Sequence, residues 1–287
     1  MASTAAAAAS AGGDTSQYST NAVSYHTHDN AWRWTGPASG GDWYDPKNWT
    51  LYDSNNKVVD TTGNSFNGNA IPQSEQNSDV NVGYSGSTTP STVVASAPSY
   101  NQIRSLSVWE NSTLEITANG GSNYSGYVFA TAGFENAGTI LINTPSKVEL
   151  GGVTMNRDDG TITIMNNDNN VVFDGNSVNN GGTINLINAT LGTATNPISI
   201  NGGTVNLEKG SSLYLAPSES LSTVNVDPST VNTVYVEANG SLHNNSANTQ
   251  NFAINGVSAN THFGISGVSS APTAATYTPN ADGVDFH

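Results

Sequence analysis

Gly138-Thr139-Ile140-Leu141-Ile142, Gly160-Thr161-Ile162-Thr163-Ile164, Gly182-Thr183-Ile184-Asn185-Leu186 and Gly203-Thr204-Val205-Asn206-Leu207 repeat one pattern of glycine, threonine, apolar, variable and apolar residues. Their glycines stand 22, 22 and 21 residues apart. A polar turn precedes each unit: Glu135-Asn136-Ala137, Arg157-Asp158-Asp159, Asn179-Asn180-Gly181 and Asn201-Gly202. Three units are followed, after a second polar stretch, by a further short strand: Val148-Glu149-Leu150, Val171-Val172-Phe173 and Leu213-Tyr214-Leu215. Weaker copies lie upstream at Asn111-Ser112-Thr113-Leu114-Glu115-Ile116 and downstream at Gly240-Ser241-Leu242.

In a strand, residues two apart share a face. The paired apolar residues of each unit therefore point inward at equivalent places, and the threonine and the variable residue point out. Glycine provides a tight corner, and Asn or Asp tolerates the left-handed backbone that corners often need. A coil of 21 to 22 residues cannot bury its apolar face alone, so the coils must stack. A propeller blade needs about 40 residues, and the Leu-x-x-Leu-x-Leu frame of leucine-rich repeats is missing. A sandwich shows no fixed repeat. The sequence thus predicts an all-β protein, a right-handed parallel β-helix. Six or seven coils stacked about 4.8 Å apart make a core on the order of 30 Å long.

Outward from the array, the chain divides into a flexible arm over 1–30, a Trp-rich cap with the first irregular coils over 31–100, the β-helix over 101–255, and a C-terminal cap or tail over 256–287. Trp32, Trp34, Trp43 and Trp49 are four of the five tryptophans in the chain. Seven basic residues against 22 acidic ones give a formal net charge of -15, which argues against nucleic acid and anionic membranes as partners. There is no cysteine, which excludes disulfides and thiol chemistry. No stretch approaches the roughly 20 apolar residues of a membrane-spanning helix. Residues 1–17 lack the basic and long apolar regions of a secretory leader.

Asn-rich coils with Gly-Thr-Ile-x-Ile units resemble the passenger regions of bacterial autotransporters and related haemagglutinin-type surface adhesins. Trp34-Thr35-Gly36, then Gly41-Asp42-Trp43-Tyr44-Asp45-Pro46-Lys47-Asn48-Trp49, Ile71-Pro72 and Asp79-Val80 are similar to an opening common in such proteins. The resemblance covers about two thirds of the chain and implies a surface-displayed β-helix. The composition, Cys-free, acidic and rich in Thr, Ser, Asn and Gly, also looks like that of S-layer and matrix proteins.

Two groups of side chains are candidates for a site. Trp43, Tyr44, Trp49 and Tyr52 would stack on sugar rings if exposed, or lid the open end of the solenoid if buried. Asp158, Asp159, Asp168 and Asp174 would bind calcium or act as paired carboxylates if gathered, or serve as turn residues if not. His26-Thr27-His28 reads as a solvated pair. His243, His262 and His287 are isolated, and no nucleophile elbow, phosphate loop or zinc motif occurs. The expectation is a non-enzymatic, extracellular or cell-surface structural protein that assembles with copies of itself into a filament, layer or biofilm matrix. It would need no cofactor, calcium aside. An adhesin binding cell-surface polysaccharide through the aromatic segment is the alternative, and a polysaccharide lyase or hydrolase the remoter one.

Overall fold

A computed structural model describes residues 30–53, 55, 57–60, 71–72, 75–84, 87–97, 100–117, 126–168, 170–218, 220–237, 252–266, 277–280 and 283–286. The chain is an all-β solenoid of parallel sheets. Its central sheet stacks nine strands in the order Gly41–Asp42, Ser91–Ala95, Ser112–Ile116, Thr139–Asn143, Thr161–Met165, Thr183–Ile187, Thr204–Glu208, Ser222–Val226 and Phe252–Asn255. Every neighbouring pair is parallel.

An eleven-stranded sheet forms a second side: Val58–Asp60, Trp49–Asp53, Asn30–Trp34, Glu75–Val82, Tyr100–Val108 and Gly126–Asn136. It then forks, because the next coil replaces one long strand by two, Val148–Gly151 and Thr154–Asn156. The corner between them is Gly152, at φ +82°, where a Cβ would stand 1.9 Å from Ala130 O. One arm continues with Val171–Phe173, the other with Ser177–Asn180 and Ser199–Asn201. A third sheet holds Thr190–Leu191, Ser212–Leu215, Asn232–Glu237 and Thr261–Ser266. An antiparallel hairpin, Tyr277–Asn280 with Gly283–Phe286, lies beside Phe252–Asn255.

The repeat registers as its sequence requires. Ile140, Ile162, Ile184, Val205 and Val224 form one buried row, and Ile142, Ile164, Leu186, Leu207 and Val226 the next. Full burial of such a side chain contributes roughly 1.5–3 kcal/mol, so these rows supply much of the driving force for stacking. The threonines form an outward row from Thr92 to Thr223. Gly138, Gly160 and Gly182 are needed for close approach: a Cβ would stand 2.3, 2.3 and 2.1 Å from backbone oxygens of Trp109, Asn136 and Gly160. Left-handed positions recur at the following corner, on Asn166, Asn188 and Lys209, while at the preceding corner Gly203 shows one, at φ +62°.

Solenoid pairing begins before residue 101, with Glu75–Val82 and Ser91–Ala95 already in the sheets. The coil of Ser222–Val226 escapes the glycine pattern because Ser222 takes that place, its Oγ donating to Ile200 O at 2.6 Å. The strand that follows it is Phe252–Asn255, while Gly240-Ser241-Leu242 lies outside the described residues, as do residues 1–29 of the arm over 1–30, His26 and His28 among them; Asn30 opens a strand.

Polar side chains bind the coils along the axis. The buried Asn136 Nδ2 donates to Asn156 Oδ1 at 2.7 Å, and Asn156 Nδ2 to Asn180 Oδ1 at 2.8 Å. The same amides reach backbone carbonyls of the corners, among them Thr161 O, Gly160 O and Gly202 O. Asn136 Oδ1, at the start of this row, is buried without a donor because its partner in the preceding coil is Val108. A partly exposed row runs from Asn255 through Asn225 and Asn206 to Asn185, each Nδ2 donating to the next Oδ1 at 2.8–3.0 Å.

Candidate functional site

The tryptophan segment is built by two antiparallel neighbours on a parallel body. Asn30–Trp34 pairs parallel with Glu75–Val82 and antiparallel with Trp49–Asp53, which turns the sheet end back on itself. The turn before Trp49 is a single 3-10 turn, Pro46–Asn48, capped by Asp45, whose carboxylate accepts from Lys47 N. Trp32, Trp43 and Trp49 are fully buried and Trp34 nearly so. Trp49 meets Trp34 and Trp43 edge to face at 5.2 and 5.0 Å between centroids. Trp43 Nε1 donates to Pro72 O at 3.1 Å and Trp49 Nε1 to Trp43 O at 2.8 Å.

These indoles close the N-terminal end of the core. The sugar platform expected of Trp43 and Trp49 is absent, since neither keeps an accessible ring face. Tyr44 is partly buried, and its hydroxyl donates to Ala97 O at 3.0 Å. Tyr52 is partly exposed, with the Arg33 guanidinium over its ring at 4.1 Å from the centroid. Burial lowers the Arg33 pKa, an effect that Tyr52 partly offsets.

The four aspartates are all exposed and are dealt to three corners. Asp158 and Asp159 occupy the corner before Thr161–Met165. Asp168 lies at the corner after it, bridged to Thr190 of the next coil. Asp174 follows Val171–Phe173 and accepts from Gly152 N at 3.3 Å. Arg157, next to the first pair, bonds to the buried Glu135 of the preceding coil at 2.8 Å. Among the described residues no group of three or more His, Cys, Asp or Glu converges as a metal site.

Two surface arrangements went unread in the sequence. One is an open cleft of about 430 Å³ on the central sheet, lined by Ser39, Asp42, Thr92, Val94, Ser96 and Glu115 among others. Asp42 is held there by Tyr44 N and Ser96 Oγ, both at 3.0 Å. The other is a stacked tyrosine pair, Tyr214 and Tyr235, on the third sheet. Its signal was present as Leu213-Tyr214-Leu215 and Val234-Tyr235-Val236, one coil apart.

The chain matches no known family model, no curated protein and no solved structure. The solenoid and its tryptophan cluster thus stand on the geometry alone.

Proposed function

We propose that this is an extracellular or cell-surface structural protein whose solenoids join end to end into a filament, layer or matrix. The reading accords with the surface-displayed β-helix proteins whose motifs it resembles, and with its Cys-free, acidic, Asn- and Thr-rich composition.

The observation that carries it is the state of the two ends. Val58–Asp60 and Thr261–Ser266 are each the outermost strand of a sheet and pair on one side alone among the described strands. An edge strand presents unpaired backbone donors and acceptors, a template for another chain. Of the eight large apolar side chains exposed among the described residues, Val58, Val59, Val257 and Ile265 lie at these two ends. A contact between unlike ends propagates into an open polymer when its rotation does not close a ring.

Electron microscopy across protein concentration, with calcium and with EDTA, tests the reading. Ordered filaments or sheets are expected, and isolated short rods at every concentration would end it. Because the chain has no native cysteine, a Val59→Cys, Ile265→Cys double variant reports the contact directly. Oxidation should give a ladder of covalent oligomers, whereas filaments without cross-links would move the contact to another surface.

A further inference from the structure

The tyrosine pair on the third sheet sits in a row that glycine terminates at both ends. Tyr214 and Tyr235 are register partners on adjacent strands, their rings 4.1 Å apart and 6° from parallel. Gly264 is the partner of Tyr235 in the next coil, and a Cβ there would stand 2.3 Å from the Tyr235 ring. That ring therefore lies over bare backbone. In the preceding coil the neighbour is Gly192, where a Cβ would stand 3.1 Å from Tyr214 Cβ. The stack thus ends at Tyr214, whose outer face looks onto a coil with no side chain in that row.

The same coil is bracketed by polar groups. Thr190 pairs with Ser212 on the Tyr214 side and bridges to Asp168 on the other. Asp168 and the strand of Tyr214 are two strand spacings apart, roughly 10 Å, with the Thr190 hydroxyl between them. Asp168 is exposed, and Thr190 and Tyr214 are partly so. Burial raises the Tyr214 pKa, Tyr235 raises it further, and the Asp168 charge adds to both, so that carboxylate lies within electrostatic reach of the phenol. The outward positions of this patch carry no Lys or Arg: they are Asp168, Thr190, Gly192, Ser212, Tyr214 and Tyr235.

We propose that Tyr214, Thr190 and Asp168 form a stacking subsite for a neutral saccharide. One apolar face of a pyranose ring lies on Tyr214 above Gly192, and its hydroxyls donate to the Asp168 carboxylate and share the Thr190 hydroxyl. An aromatic face with charged and neutral acceptors beside it is the chemistry that recognises a hydroxyl-bearing ring. The acidic patch and the net charge of -15 select against uronic acids and other anionic sugars. The subsite lies on the lateral face of the third sheet, with Tyr214 two strands in from the edge strand Thr261–Ser266 and its open face turned away from that edge, so its occupation does not require assembly.

Saturation-transfer NMR on the full chain, with cellopentaose, maltopentaose, mannopentaose and an oligogalacturonate at millimolar concentration, tests this. At least one neutral oligosaccharide should receive transfer and the oligogalacturonate none. Tyr214→Ala should abolish it, and Tyr214→Phe should retain most of it. Asp168→Asn, on an exposed corner where folding is not at stake, should weaken binding about tenfold, the size of one hydrogen bond to a charged group. Absence of transfer to every neutral probe, preference for the anionic one, or binding unchanged in Tyr214→Ala or Asp168→Asn overturns the proposal.

Discussion

Asn156 carries more polar contacts than a turn residue needs. It accepts from Asn136 and donates to Asn180, Gly160 O and Thr183 O, with 1% of its surface exposed. Replacing it by alanine orphans buried groups on both neighbouring coils. Each buried group left unpaired costs about 1–3 kcal/mol, whereas a solvated partner costs little. We expect Asn156→Ala to lower the urea midpoint far more than Asn206→Ala, whose row is partly exposed. The glycines separate in the same way. Gly182→Ala puts a Cβ 2.1 Å from Gly160 O and should cost about 1–3 kcal/mol or more through forced backbone movement. Gly175, at φ +65° with nothing within 4 Å, should accept asparagine with little loss, since asparagine tolerates that conformation. Denaturant titration of the two variants separates a steric requirement from a conformational one.

Tyr214 adds a pH dependence of known sign. Its pKa in the fold lies above the ordinary 10.0, burial being the largest cause. The folded protein therefore holds the phenol proton more tightly than the unfolded chain. The associated stability is present below about pH 10 and is lost as pH rises through the raised value. Tyr214→Phe should flatten the fall of the urea midpoint above pH 10 relative to the parent.

At the scale of elements, the tryptophan cap is expected to behave as core. Trp49→Ala should cost about 3–5 kcal/mol, the range for a buried aromatic, read as a loss in melting temperature together with altered emission from Trp34 and Trp43. The coil ladder was legible because the inward row Ile140, Ile162 and Ile184 is preceded in every coil by an outward threonine, Thr139, Thr161 and Thr183. What escaped had physical reasons. Ser222 stands in one coil where glycine stands in others and bonds to Ile200 O, so the coil broke the pattern without breaking the fold. The fork at Gly152 depends on how closely a corner passes Ala130 O, which no spacing encodes. The indoles of Trp43 and Trp49 fit both lid and platform as a string of residues, because their spacing does not say which face is covered. The stacked pair is hidden for a different reason: Leu213-Tyr214-Leu215 reads as a short strand, and the outward direction of Tyr214 emerges once Leu213 and Leu215 are placed inside.

For the whole molecule, the excess of acid over base opposes contact between copies. Screening shortens the reach of that repulsion from about 30 Å at 0.01 M salt to about 8 Å at 0.15 M. End-to-end growth followed by light scattering should therefore accelerate as salt is raised across this range. Growth favoured by low salt would instead identify the ends as charge-matched.

The chain enters the ladder at Asn30, beside the tryptophan-sealed end, and leaves the third sheet at Ser266, in its last strand. Tension applied through the termini would pull along the axis, where coils are held in series by hydrogen bonds and amide rows. Failure should begin at the last coil, where Phe252, Ile254 and Phe263 are only partly buried, and proceed coil by coil toward the indoles. Such a solenoid would lengthen in small steps and keep its sealed end intact, yielding under load without letting go at once.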